Sequence, residues 1–132
     1  MIAIDTSAFV VIALREPERI VFEQTIATAR RRFLPVSCYL ECLMVLSGRQ
    51  IRREWLDRYV EAANIELAGS DPRQARLAAA AFERYGRGSG HAAKLNFGDC
   101  LAYAAASALG APLLFKGGDF ALTDIQPALA IP

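Results

Sequence analysis

The sequence predicts an α/β protein in which helices cover both faces of a central, mainly parallel sheet of four to five strands. Three observations carry that expectation. Short apolar runs with strand character, MIAID, FLPVS, IELA and PLLFK, recur along the chain. Between them lie longer stretches whose apolar residues return at helical spacing. No repeat, linker or low-complexity segment interrupts the alternation, which is the pattern of a parallel sheet with helical crossovers.

Each element has its own local reason. MIAID at 1–5 is an apolar run ending in a polar residue, as a buried first strand does. TSAFVVIALR then takes helical spacing, with Thr6 or Ser7 placed to cap it. Pro17 opens a second helical stretch to Ala29, amphipathic through Ile20, Val21, Gln24 and Ile26. FLPVS at 33–37 is the second strand, and Pro35 confines it to an edge or a strand end, because proline cannot donate to a ladder. CYLECLMVLSG at 38–48 is a strongly apolar helix stopped by Gly48. IRREWLDRYVEAAN is amphipathic, with Ile51, Trp55, Leu56, Tyr59 and Val60 inward. IELA at 65–68 is the third strand, and Asp71 caps a helix running to Tyr85 with Pro72 at its first position. GRGSGHAAKLN follows as a flexible, basic loop. The helix in LNFGDCLAYAAASALG ends at Gly110, PLLFK is the fourth strand, and ALAIP at 128–132 offers a fifth.

A chain of 132 residues suits one domain, spanning 1–132, with enough core to fold without disulfides or metals. With 54% hydrophobic and 22% charged residues, disorder is excluded. No apolar run approaches the ~18 residues of a membrane span. The acid at position 5 and the lack of a basic leader argue against a signal peptide, so a cytoplasmic protein with no membrane role is expected. Cys38, Cys42 and Cys100 are an odd number without paired metal-ligand spacing, and His91 is the one histidine; zinc lacks ligands and the thiols read as reduced core residues. A net charge of +1 excludes a uniformly basic nucleic-acid binder. Arginine nevertheless far outnumbers lysine, and it clusters at Arg30, Arg31 and Arg32 and at Arg49, Arg52 and Arg53. Guanidinium forks suit phosphates, but a solvated surface explains the clusters equally well.

In parallel α/β sheets a ligand site lies at the carboxyl ends of the strands, so the positions of the acids are informative. Asp5 ends the first strand, and Asp119 lies just beyond the fourth. Glu41 falls in the first turn or so of an otherwise apolar helix, and Asp99 near the start of the helix before the fourth strand. Any one of them has an ordinary explanation: a helix-terminus acid for Asp99, or an arginine ion pair for the others. All four at strand ends would repel and raise one another's pKa values. Divalent cations offset that repulsion, and oxygen-only ligands select magnesium or manganese, the ions of phosphoryl chemistry.

IDTSA at 4–8, a glutamate at 41, NFGDC at 96–100 and LLFKGGDF with TDI at 113–125 together resemble a PIN domain, more narrowly the VapC toxins of bacterial toxin–antitoxin pairs. The likeness covers essentially the whole chain. It implies a PIN-like three-layer α/β/α sandwich and a Mg2+-dependent endoribonuclease in which Mn2+ can substitute. RNA would be cut to a 3′-hydroxyl and a 5′-phosphate by a homodimer inhibited by a small cognate VapB-like antitoxin. Carried over by position, Asp5, Glu41, Asp99 and Asp119 are the metal-binding acids, and Ser7 supports them through its hydroxyl. The chain departs at Gly118, where relatives often carry a second acid, which leaves the number of metals open. Asp124 reads rather as a turn residue.

Around this resemblance other roles remain open. Arg84, Arg87, His91 and Lys94 flank GRGSG and either touch the RNA backbone or are simply solvated. GRGSG itself follows a helix and lacks the lysine–serine pair of a nucleotide loop. Helices 17–29 and 51–63, with Trp55 and Tyr59, carry apolar residues for a core, a dimer or an antitoxin groove. A catalytically inactive PIN-fold binding module and a phospho-acceptor receiver domain are the competing functions. The receiver requires an early acid pair and leaves Glu41 unexplained; the inactive module has no need of a repulsive cluster.

Overall fold

The computed structural model describes residues 1–130. Strands β1 (Ile2–Ile4), β2 (Arg32–Pro35), β3 (Glu66–Ala68) and β4 (Leu113–Leu114) form one sheet in the order β3–β2–β1–β4, with every pair parallel. Six helices cover it as an α/β/α sandwich: α1 (Thr6–Ala13), α2 (Arg19–Thr28), α3 (Val36–Ser47), α4 (Arg53–Ala62), α5 (Pro72–Tyr85) and α6 (Phe97–Leu109). β1 is interior, with Ala3 in register with Phe33 on one side and Leu113 on the other. Ala3 and Ile4 are wholly buried, so the strand reads as an unbroken apolar run with no alternation.

Several boundaries move. The residue that caps α1 is Asp5, not Thr6 or Ser7: its carboxylate accepts from the Ser7 N–H. Pro35 does end a strand, but that strand is interior, and α3 already begins at Val36. Among the described residues, the expected fifth strand is represented by one parallel bridge just before it, between Leu113 and Pro127, in which Leu113 N–H donates to the Gln126 carbonyl and Ala128 N–H to that of Leu113. Residues 131–132 of that stretch lie outside the described residues. Asp71 caps α5 through the Gln74 N–H at 2.8 Å, as its spacing predicts. Gly110 closes α6 in the left-handed region, at φ 62°.

Helix α3 is less buried than its composition suggests. Cys38, Cys42 and Leu46 face the core, whereas Val36, Leu40 and Met44, one turn apart, stand on an exposed flank. The three cysteines are free, buried thiols. The 86–96 segment is also more ordered than a glycine-rich loop requires. Gly86 and Leu95 form a bridge, Arg87 N–H donates to the Leu95 carbonyl, and Ala93 and Leu95 are buried beneath it.

Two of the arginines in the 30–32 cluster turn out to hold the fold. Arg31 forms a forked pair with Glu66 across β2 and β3, at 3.0 and 3.1 Å. Arg32 donates to the carbonyls of Ile26 and Ala27 near the end of α2 and to that of Ala63 just past α4, the latter two at 2.8 and 2.6 Å. Helix C-termini leave such carbonyls without intrahelical partners, and a cation there also meets the favourable end of the dipole. Arg32→Ala is expected to lower unfolding free energy by about 2 kcal/mol, the usual scale for charge-assisted hydrogen bonds, as read by urea denaturation.

Candidate active site

The chain must leave the sheet where β1 ends, and Asp5 occupies that junction. Its backbone is extended, at φ −80° and ψ 157°, so its side chain turns back over the first turn of α1. Oδ2 accepts from the Ser7 N–H at 3.0 Å and from the Ser7 hydroxyl at 2.6 Å. That hydroxyl oxygen accepts in turn from the Lys116 N–H at 2.9 Å, tying the exit of β4 to the start of α1. The Cys38 thiol lies 3.9 Å from Oδ1. Asp5 is only 5% exposed. Burial pushes its carboxyl up to about 6, the Ser7 hydrogen bonds oppose the rise, and the charges of Asp99 and Glu41 add to it.

Glu41 and Asp99 come from the two helices that meet over this junction. Asp99 occupies the third position of α6 in a reciprocal capping box: Asn96 N–H donates to Asp99 Oδ2 at 3.0 Å, and Asp99 N–H to Asn96 Oδ1 at 2.8 Å. Its pKa is raised by burial, then by Asp119 and Glu41, and lowered by Asn96 and Arg87. Glu41 projects from α3 against Gly98. A Cβ at position 98 would stand 2.4 Å from Glu41 Oε2, so the absence of a side chain there is what admits the carboxylate. Asp5, Glu41 and Asp99 line one cleft of about 400 Å³, together with Thr6, Ser7, Glu16 and Lys116.

Other predicted site residues lie elsewhere or are otherwise engaged. Asp119 is exposed at the start of a short 3-10 turn and does not line this cleft, although it is close enough to Asp99 to act on its charge. Among the described residues no three His, Cys, Asp or Glu side chains close into a ready cage for an ion. Arg84 pairs with Asp124 at 3.4 Å and stacks on Tyr85. His91 packs edge-on against Tyr85, and its Nδ1 accepts from Ala93 N–H. Lys94 is exposed, and Arg87 lies near Asp99. Asp124 is held by Arg84 and the Tyr103 hydroxyl, the turn role its sequence context suggests.

Sequence reasoning did not place Thr6, Glu16 or Lys116 in the cleft, nor Gly98 beside Glu41. Thr6 donates to the Cys38 carbonyl at 3.2 Å and so holds α1 to α3. The glycine inside NFGDC was a visible signal, since a residue without a Cβ near the start of a helix asks what approaches it.

The PIN domain family profile matches residues 2–126. Ribonuclease VapC28 of Mycobacterium tuberculosis is 44% identical over 128 residues, covering 96% of each chain. The chain belongs to the PIN domain family, among the VapC ribonucleases. Ribonuclease VapC of Mycolicibacterium smegmatis is 41% identical over 124 residues, covering 92% of this PIN domain and 95% of its own chain. Among solved structures, VapC20 of Mycobacterium tuberculosis, described as a sarcin–ricin loop cleaving toxin, superposes with a TM-score of 0.72 at 15% identity over 95% of this chain and 96% of that one. A toxin–antitoxin complex from Klebsiella pneumoniae gives 0.67 at 16% identity, over 92% and 91%. At these identities the structural likeness is one of fold, and it agrees with the parallel sheet described above.

The raised Asp5 carboxyl makes a stability prediction for this PIN domain in chelator. Between its ordinary value of 3.8 and about 6, the folded chain keeps a proton that the unfolded chain releases. The unfolded state therefore binds fewer protons, and stability falls as pH rises through that window, by about 3 kcal/mol in all. Asp5→Asn should remove that slope and unfold at higher urea than the parent at pH 7. Equal slopes from pH 4 to 6 in both proteins would contradict the burial of a charged Asp5.

Proposed function

We propose that this PIN domain is a divalent-metal-dependent endoribonuclease, acting on RNA phosphodiester bonds as the toxin of a toxin–antitoxin pair. The observation that carries the proposal is the shared cleft of Asp5, Glu41 and Asp99, with Gly98 leaving room for the glutamate. The donors fit a hard cation: they are carboxylate oxygens with a supporting hydroxyl, and no histidine or exposed thiol competes. A carboxylate buried beside two like charges is relieved by a cation, and Asp5 is in that position. Magnesium, with manganese able to replace it, is the ion proposed.

Asp5, Glu41 and Asp99 would hold the ion, and Asp119 would contribute from the rim. When bound, the ion supplies a more acidic water and countercharge for the phosphoryl oxygens. Ser7 fixes the Asp5 carboxylate through two donors, which keeps Oδ2 oriented and favours its ionised form. Arg87 near Asp99, with Arg84 and Lys94, would position the RNA backbone; His91 would shape the loop beneath them.

A homodimer, a cognate antitoxin and a cytoplasmic location complete the proposal. Support for the first comes from an apolar groove of about 570 Å³ between α5 and α6, flanked by Phe82 and Phe97, which are 54% and 83% exposed. Support for an antitoxin surface comes from Ile20 and Val21, exposed on α2, and from the groove at Trp55 and Tyr59. The related proteins are ribonucleases by name, and one structural neighbour is a toxin–antitoxin complex. No helix among the described residues is long and apolar enough to cross a membrane.

Cleavage of single-stranded RNA in magnesium or manganese tests this reading. Asp99→Asn should abolish cleavage while RNA binding persists, and undiminished activity in excess chelator would refute the metal mechanism. Gly98→Ala probes the cleft more finely. The new methyl meets the movable end of Glu41 and no backbone, so the protein should fold normally. Its single-turnover cleavage rate should nevertheless fall about 10–100-fold, the usual cost of misplacing a ligand's support. An unchanged rate would remove Glu41 from the site.

A further inference from the structure

Lys116 is the one cation lining the acid cleft, among the described residues, against Asp5, Glu16, Glu41 and Asp99. It follows β4 and the buried Phe115. Its main chain is fixed, because its N–H donates to the Ser7 hydroxyl oxygen that serves Asp5. Its side chain is not fixed in the same way: it is 46% exposed, and its ammonium rests on Glu16 and, at 2.5 Å, on Glu18 in the turn between α1 and α2. Both carboxylates hold its pKa above the ordinary lysine value, so it remains a cation.

A ribonuclease site of this composition has an electrostatic difficulty. An RNA strand brings further negative charge to a cleft whose lining already holds four carboxylates. A cation anchored at the rim relieves that repulsion only if it can face the strand. The lysine itself is open to solvent although Glu16 and Glu18 are partly buried, so its pairing is partly screened and a phosphate oxygen can take the place of a carboxylate oxygen. We infer that Lys116 is a phosphate-binding residue of the RNA site, and that Glu16 and Glu18 occupy its ammonium in the free protein and compete with RNA for it. The inference rests on the ribonuclease reading above and adds to it a residue and a built-in competitor. A purely structural role for the same cluster, fastening the α1–α2 turn to β4, makes the opposite prediction for the acids.

The experiment is fluorescence-anisotropy binding of a short single-stranded RNA in chelator across a potassium chloride series. It is run beside single-turnover cleavage in magnesium and a thermal midpoint for each protein. Lys116→Met should weaken binding about tenfold at low salt and reduce the logarithmic salt slope by about 0.7, one phosphate contact on a single strand. Lys116→Arg should restore both. Glu16→Gln with Glu18→Gln should tighten binding several-fold, because the lysine is released and two negative charges are lost. Binding by Lys116→Met equal to that of the parent would overturn the inference. So would a double acid variant that binds more weakly than the parent and loses thermal midpoint alongside Lys116→Met, since that is the behaviour of a structural clasp. A parent protein that neither binds nor cleaves RNA would instead overturn the ribonuclease reading and this inference with it; a parent that cleaves while the variants match it would overturn this inference alone.

Discussion

The buried carboxylate of Asp5 is the constraint around which the rest of the molecule is arranged. β1 lies between β2 and β4, so the chain leaves it in an enclosed part of the sheet, where an acid is costly. The sequence offsets that cost with backbone and hydroxyl donors from the first turn of α1. The same Ser7 hydroxyl accepts from the chain leaving β4. Capping a helix, closing a sheet and orienting an acid thus converge on one serine and one aspartate. Disturbing any of the three functions disturbs the others.

Helices α3 and α6 build the remainder of the cleft by close approach. Glu41 reaches it because Gly98 has no side chain, and Gly98 is tolerated in the first turn of α6 because the Asn96–Asp99 capping box secures that turn. Asp99 therefore serves the helix and the cleft at once, with no conflict between the roles. Its position also suits a carboxylate electrostatically, since the free N–H groups of a helix start favour the ionised form.

Charge is distributed differently from what composition suggests. Arg31 and Arg32 are spent on holding β2, β3 and the ends of α2 and α4. Arg53 and Asp57 pair along α4 at 3.3 Å, and Asp57 also accepts from Tyr39 of α3. What remains near the acids is sparse: Arg87 beside Asp99, and Lys116 on the cleft wall. A nearly neutral protein can still direct a polyanion to an acidic site if its few solvent-accessible cations stand at the rim.

Much of this was legible in the residues. The alternation of apolar strands with amphipathic helices determined the element order. Asp71, Pro72 and Gly110 marked their helix ends by purely local rules. The strand-end rule singled out Asp5, Glu41, Asp99 and Asp119 as candidate site residues, and the first three do line one cleft. These features depend on a residue and its near neighbours, so one sequence carries them in full. The exposed flank of α3, the structural use of Arg31 and Arg32, the bridge of Pro127 to Leu113 and the exposure of Asp119 were not legible. Each depends on which segments face one another. Lys116 and Glu16 are 100 positions apart, and Glu41 and Gly98 belong to different helices. The sequence by itself determined which acids are candidates for the chemistry and where along each element they stand. Only the tertiary structure decided which of them share a cleft, because such contacts are set by how the helices pack on the sheet, which no local pattern encodes.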